Sequence, residues 1–136
     1  MPRPKKTGEP PIHVTIVSNN PETLDDLRGY LEQSGVRTRC TSAMGDLSLV
    51  APEGAVGTVL FPDDFAASDV SFVREIRRQR PRFLILIVTR EPNRVRAILD
   101  DDARSPGLVV LPIPSFGWDI LDAIRAHARE AASAHA

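Results

Sequence analysis

Val14-Thr15-Ile16-Val17-Ser18-Asn19-Asn20-Pro21-Glu22-Thr23-Leu24 reads as a strand that runs into a helix through a polar corner. The β-rich run begins at Ile12 and ends at Val17, where branched side chains give way to Ser18, Asn19 and Asn20. Asn20 is the expected N-cap. Pro21 takes the first helical position, where its missing N–H leaves no helical bond unmade. Leu24, Leu27 and Leu31 then recur at i, i+3 and i+7, one stripe of an amphipathic helix over residues 21–34, and Gly35 stops it. In an open α/β sheet such a corner lies at the carboxyl end of the strands, where these folds bind ligands.

The same alternation continues along the chain. Residues 36–40 alternate apolar and polar side chains and predict a half-exposed edge strand. Residues 42–50 predict a short helix, with Gly45 inside it and Pro52 just beyond as breakers. Residues 56–61 predict a strand ended by Pro62, and Val70, Phe72, Val73 and Ile76 mark a helix over 68–78. Residues 83–88 (FLILIV) form an unbroken apolar run of strand length, which belongs inside a parallel sheet covered by helices on both faces. Pro92 opens a helix over 92–101 that turns Val95, Ile98 and Leu99 inward and ends in the acidic run 100–102. Gly107 precedes a strand at 108–111. The last helix is expected over 116–129, with Ser115 as N-cap and Ile120, Leu121 and Ile124 inward. Parallel strands require right-handed crossovers, so this order predicts an α/β fold with a doubly wound five-stranded parallel sheet. Strand order 2-1-3-4-5 suits a polar-alternating second strand at one edge and an apolar fourth strand inside.

The chain has 136 residues, 17 of them Lys or Arg and 18 Asp or Glu, for a net charge of −1. That length holds one domain, expected over residues 12–129. Residues 1–11, Pro-rich with Arg3, Lys5 and Lys6, read as a disordered tail, and the Ala-rich residues 130–136 as a second tail or the start of a linker. Balanced charge supplies no global field for nucleic acid or an anionic membrane. The single cysteine, Cys40, allows no internal disulfide and no CxxC metal site, which suits a reducing cytoplasm. No apolar run approaches the ~20 residues of a membrane span, and no signal-peptide core follows the basic cluster.

The segments IVSNNPETLDDLRGYLEQSG, LILIVTRE and IPSFGWDILDAI, in this order, resemble a bacterial response-regulator receiver domain across residues 12–127. The resemblance implies the flavodoxin-like receiver fold and a phosphorylation site at the carboxyl edge of the sheet. In that family, acids ending the first strand hold Mg²⁺ and an aspartate ending the third strand is the nucleophile. A hydroxyl after the fourth strand and a lysine-proline pair after the fifth, its bond typically cis, complete the site. Here those positions hold Ser18 and Asn19, Phe61, Thr89, and Ile113-Pro114. A slide of two residues brings Asp63, with Asp64 beside it, to the nucleophile's place across Pro62, so Asp63 and Asp64 remain the alternative phosphoacceptors. The resemblance with these substitutions implies a pseudo-receiver: a phosphorylation-independent interaction module of signal transduction, not an enzyme, without metal or cofactor. A working phosphoacceptor and a small-ligand sensor in the altered pocket are the alternatives.

Other chemistry has little support in the sequence. His13, His127 and His135 lack metal-ligand spacing, and no glycine pattern forms a phosphate loop. Cys40 is expected to be an inert thiol of the edge strand. Trp118 lies about 100° from the centre of the last helix's apolar stripe, at the core's rim or on a partner surface. With Arg94, Arg96, Asp119 and Arg125 it outlines an expected surface made by helix 92–101, strand 108–111 and helix 116–129. The expected partners are other proteins, a second copy of the chain among them, rather than nucleic acid or the membrane interior.

Overall fold

The computed structural model describes residues 12–42, 45–62, 67–99, 107–113 and 117–134. Strands and helices alternate throughout: β1 (Ile12–Val17), α1 (Pro21–Gln33), β2 (Val36–Thr41), α2 (Leu47–Val50), β3 (Gly57–Leu60), α3 (Ala67–Gln79), β4 (Leu84–Thr89), α4 (Pro92–Ile98), β5 (Leu108–Pro112) and α5 (Gly117–Ala134). The strands form one parallel sheet in the order β2-β1-β3-β4-β5.

Strand chemistry explains that order. All six residues of β4 are buried, because its neighbours pair on both sides and helices cover both faces. Only Val36 of β2 is fully buried, as befits an edge strand with one partner. On one face Val14, Ile16, Val59, Leu84, Leu86 and Val88 pack under Leu27 and Leu31 of α1 and Ile120, Leu121 and Ile124 of α5. On the other, Val17, Leu60, Ile85 and Ile87 pack under Val50 of α2, Val73 and Ile76 of α3 and Val95 of α4. Each fully buried aliphatic side chain contributes roughly 1.5–3 kcal/mol.

Local signals set most of the element ends. Asn20 Oδ1 accepts from the N–H groups of Glu22 (2.9 Å) and Thr23 (3.4 Å), the expected cap of α1. Gly35 follows α1 at φ +92°, the left-handed region that a residue with a Cβ avoids. Three helix extents differ from the sequence reading by more than one residue at an end. The short helix before β3 is a single turn, Leu47–Val50, capped by Asp46, whose Oδ1 accepts from Ser48 N–H at 3.1 Å. α4 closes at Ile98 with Leu99 as its cap, and the acidic run 100–102 and Ser115 lie outside the described residues. α5 continues to Ala134, past the expected end at 129, because its alanines are strong helix formers and no Gly or Pro interrupts them.

Arg80 ties the underside together. Its Nη1 donates to the carbonyls of Ala51 and Pro52, each at 3.0 Å, and its Nη2 to that of Ala55 at 2.8 Å. The guanidinium carbon lies 4.3 Å from the centre of the Phe83 ring. One side chain thus joins the end of α3, the loop before β3 and the start of β4.

Candidate functional site

The carboxyl edge of the sheet brings the exits of β1, β3, β4 and β5 into one row. Val17, Leu60 and Ile87 stand in register across β1, β3 and β4, and Thr89 stands opposite Pro112. The next residues along the row are Ser18, Phe61 and Ile113.

Ser18 is buried at 5% exposure. Its N–H donates to Thr41 O at 3.1 Å and its Oγ accepts from Asn20 N–H at 3.1 Å. The hydroxyl therefore shapes the corner into α1 instead of facing an open site. Asn19 beside it is exposed. Phe61 prolongs the ladder past β3, donating its N–H to Val17 O at 2.9 Å. It is half-buried and packs against the apolar cluster on the α1 and α5 side. Thr89 ends β4 at 7% exposure; its Oγ1 accepts from Glu91 N–H at 3.2 Å and its carbonyl accepts from Ile113 N–H at 2.9 Å. Ile113 leaves β5 with 42% of its surface exposed.

Ser18, Asn19, Phe61, Thr89 and Ile113 thus share one edge, as the sequence reading expects, and none carries a charge. Asp63, Asp64 and Pro114 lie outside the described residues. Mg²⁺ is held in proteins by carboxylates together with phosphate oxygens. At the first corner the donors are a neutral amide and a hydroxyl already engaged with Asn20, so these residues do not fit the ion. Among the described residues no three His, Cys, Asp or Glu side chains gather into a metal-holding group.

The expected partner surface divides in two. Arg96 donates through Nη2 to Val110 O at 2.9 Å and through Nη1 to Asn93 Oδ1 at 3.2 Å, which fastens α4 to β5. Arg94 Nε lies 3.7 Å from Glu91 Oε1. Arg125 instead reaches across to α1, where its Nη2 donates to Ser34 O at 2.9 Å. Trp118 precedes Arg125 by seven residues, about 20° short of two full turns, so both lie on the same side of α5. Arg125 finds a carbonyl at the end of α1, where the helix leaves its last C=O groups without helical partners. Trp118 and Arg125 therefore turn away from Arg94 and Arg96, while Asp119 stands about 100° further round the helix. Trp118 remains 52% exposed.

Cys40 is exposed on β2, and burial raises its thiol pKa; Arg28 opposes the rise, while Asp25 and Glu32 add to it. A raised thiol pKa disfavours the thiolate, the nucleophilic form. A contact that no local pattern announces lies nearby. Glu32, at the end of α1, accepts with Oε2 from both the N–H (2.9 Å) and the hydroxyl (2.8 Å) of Thr38.

Neither a family model nor a curated protein matches the sequence. Solved structures do match its shape. A response-regulator receiver domain protein from Clostridium thermocellum is 16% identical, with TM-score 0.71, over 88% of this chain and 95% of that one. A CheY-like receiver domain protein from Methanospirillum hungatei JF-1 is 15% identical, with TM-score 0.70, over 89% and 99%. A sensor protein from Polaromonas sp. JS666 is 16% identical, with TM-score 0.72, over 89% and 98%. The chain has the receiver fold. No helix among the described residues is long and apolar enough to cross a membrane.

Proposed function

We propose that the chain is a receiver-type module of signal transduction that works through protein contacts and without phosphoryl transfer. Phe61 carries the reading. A phenyl ring stands at the exit of the central strand, where the resemblance calls for the nucleophilic carboxylate. It has no lone pair to attack phosphorus and no charge to gather a cation. Ser18, Asn19 and Ile113 support the same conclusion from three sides, since phosphoryl transfer rests on positioning and charge stabilisation. The partner contact is assigned to the outward side of α5 around Trp118, because an exposed indole anchors protein interfaces well.

Acetyl phosphate, or beryllofluoride with Mg²⁺, tests the first part. Intact mass and amide NMR shifts are expected to stay unchanged. Saturable modification of Asp63 or Asp64 would restore the phosphoacceptor and overturn the reading.

A further inference from the structure

β2 pairs with β1 on one side and, among the described residues, forms the open edge of the sheet. The bond from Ser18 N–H to Thr41 O turns the backbone of Thr41 toward β1. By the alternation of a parallel ladder, the amides of Val36, Thr38 and Cys40 turn outward. The Thr38 N–H does so, and meets the carboxylate of Glu32. This chain's own acid therefore occupies the central outward donor of its open edge. Arg37 and Arg39 stand exposed at i, i+2 on the sheet face opposite α1, in register beside His13 and Thr15 of β1. Arg28 of α1 adds positive charge near Glu32 and Cys40, against Asp25 on the same helix.

We infer that the edge of β2 is a strand-addition site for an extended acidic segment of a partner protein, with Glu32 as the intramolecular competitor. An added strand carries side chains at alternate positions on one face, roughly 6.6 Å apart, which matches the spacing of Arg37 and Arg39. Its main chain accepts the Thr38 N–H that Glu32 now holds. A second copy of this chain fits badly. Two-fold edge pairing is antiparallel, and centred on Thr38 it sets Arg37 of one copy against Arg39 of the other. Centred on either arginine, it sets like against like, and like charges directly opposite destabilise a strand pair. The site is separate from the α5 surface and stands without it.

The test uses a peptide of about eight residues alternating Glu and Val, and its Lys-Val counterpart, titrated against the whole chain by amide NMR and calorimetry. The Glu peptide is expected to give saturable shifts confined to β2 and Glu32, and the Lys peptide none. Glu32→Ala is expected to tighten binding about fivefold by removing the competitor, and Arg37→Glu with Arg39→Glu to weaken it about tenfold or more. Thr38→Pro removes the outward donor at an edge position that tolerates proline, and is expected to abolish binding. Should that variant not fold, the Glu32 and arginine variants decide alone. Equal binding of the Lys peptide, or no saturable shift with wild type and Glu32→Ala at millimolar peptide, overturns the inference. So does concentration-dependent dimerisation of Glu32→Ala without peptide, which would make a second copy the occupant.

Discussion

The Tyr30 ring fills the space that a side chain on Gly117 would need: a Cβ there would stand 2.7 Å from Tyr30 Cδ2. The start of α5 is therefore seated directly on an aromatic side chain of α1. Gly117→Ala is expected to destabilise the fold by about 1–3 kcal/mol, as overpacking does. Tyr30→Ala in the same chain should recover part of that loss, because it removes the clash. Gly57→Ala should cost more, since its Cβ would meet Leu84 Cβ at 2.6 Å and Leu84 O at 2.9 Å, atoms fixed in a central strand. Urea unfolding of the variants checks the ranking; an unchanged Gly117→Ala would contradict it.

Thr15 is 1% exposed, and its hydroxyl has no partner among the described residues. Thr58, opposite it in the sheet, donates its hydroxyl to Thr15 O at 3.1 Å. Thr15→Val removes an unsatisfied polar group at nearly constant shape and is expected to stabilise by about 1 kcal/mol. Thr58→Val removes a made bond and should destabilise by roughly 0.5–1.5 kcal/mol. The opposite signs are the test, read from denaturation midpoints at constant slope.

Arg80 holds three carbonyls and stacks on Phe83. Arg80→Ala is expected to cost roughly 2–3 kcal/mol, given bonds from a charged donor. Arg80→Lys should recover little, because an ammonium is a point charge that cannot fork among these acceptors. Equal stability of the Lys variant and the wild type would argue against the clamp.

Glu32 and Glu75 are exposed carboxylates held below the usual carboxylate range. Thr38 lowers Glu32 through its side-chain and then its backbone hydrogen bond; Arg78, then Gln79, lower Glu75 through theirs. Since the folded pKa is the lower one, each contact adds stability above the ordinary carboxylate pKa and loses it as pH falls through the folded value. The effect is small, as solvent screens both groups. Carboxyl NMR titration should show Thr38→Val raising Glu32 and Arg78→Ala raising Glu75, with neither crossing over. An unmoved Glu32 in Thr38→Val would refute the assigned cause.

Trp118 is the chain's one tryptophan and is 52% exposed. Trp118→Ala should leave stability within about 0.5 kcal/mol, as exposed positions do. If it anchors the partner, the same change should weaken binding by roughly 1–3 kcal/mol, while Asp63→Ala leaves binding intact. Intrinsic fluorescence, quenched by acrylamide in the free chain and protected in the complex, reads this without labels. Binding that follows Asp63 and ignores Trp118 would move the function to the pocket.

The sequence by itself determined the order of elements, the edge place of β2, the buried place of β4 and the cap of α1. Those follow from apolar periodicity and from bonds that Asn20 makes within three residues of itself, so they are local properties of the chain. It also showed Ser18, Phe61, Thr89 and Ile113 as uncharged side chains at successive corners, and parallel pairing alone gathers such corners on one edge. Tertiary structure decided the contacts between distant elements. Arg125 meets the carbonyl of Ser34, 91 residues away, which sets it on the α1 side instead of the α4 side. Arg80 finds carbonyls 25 to 29 residues upstream, and Glu32 finds an amide on the next strand. A side chain's partner across such distances depends on how helices seat on the sheet, because the free donors and carbonyls it satisfies come together only once packing is complete.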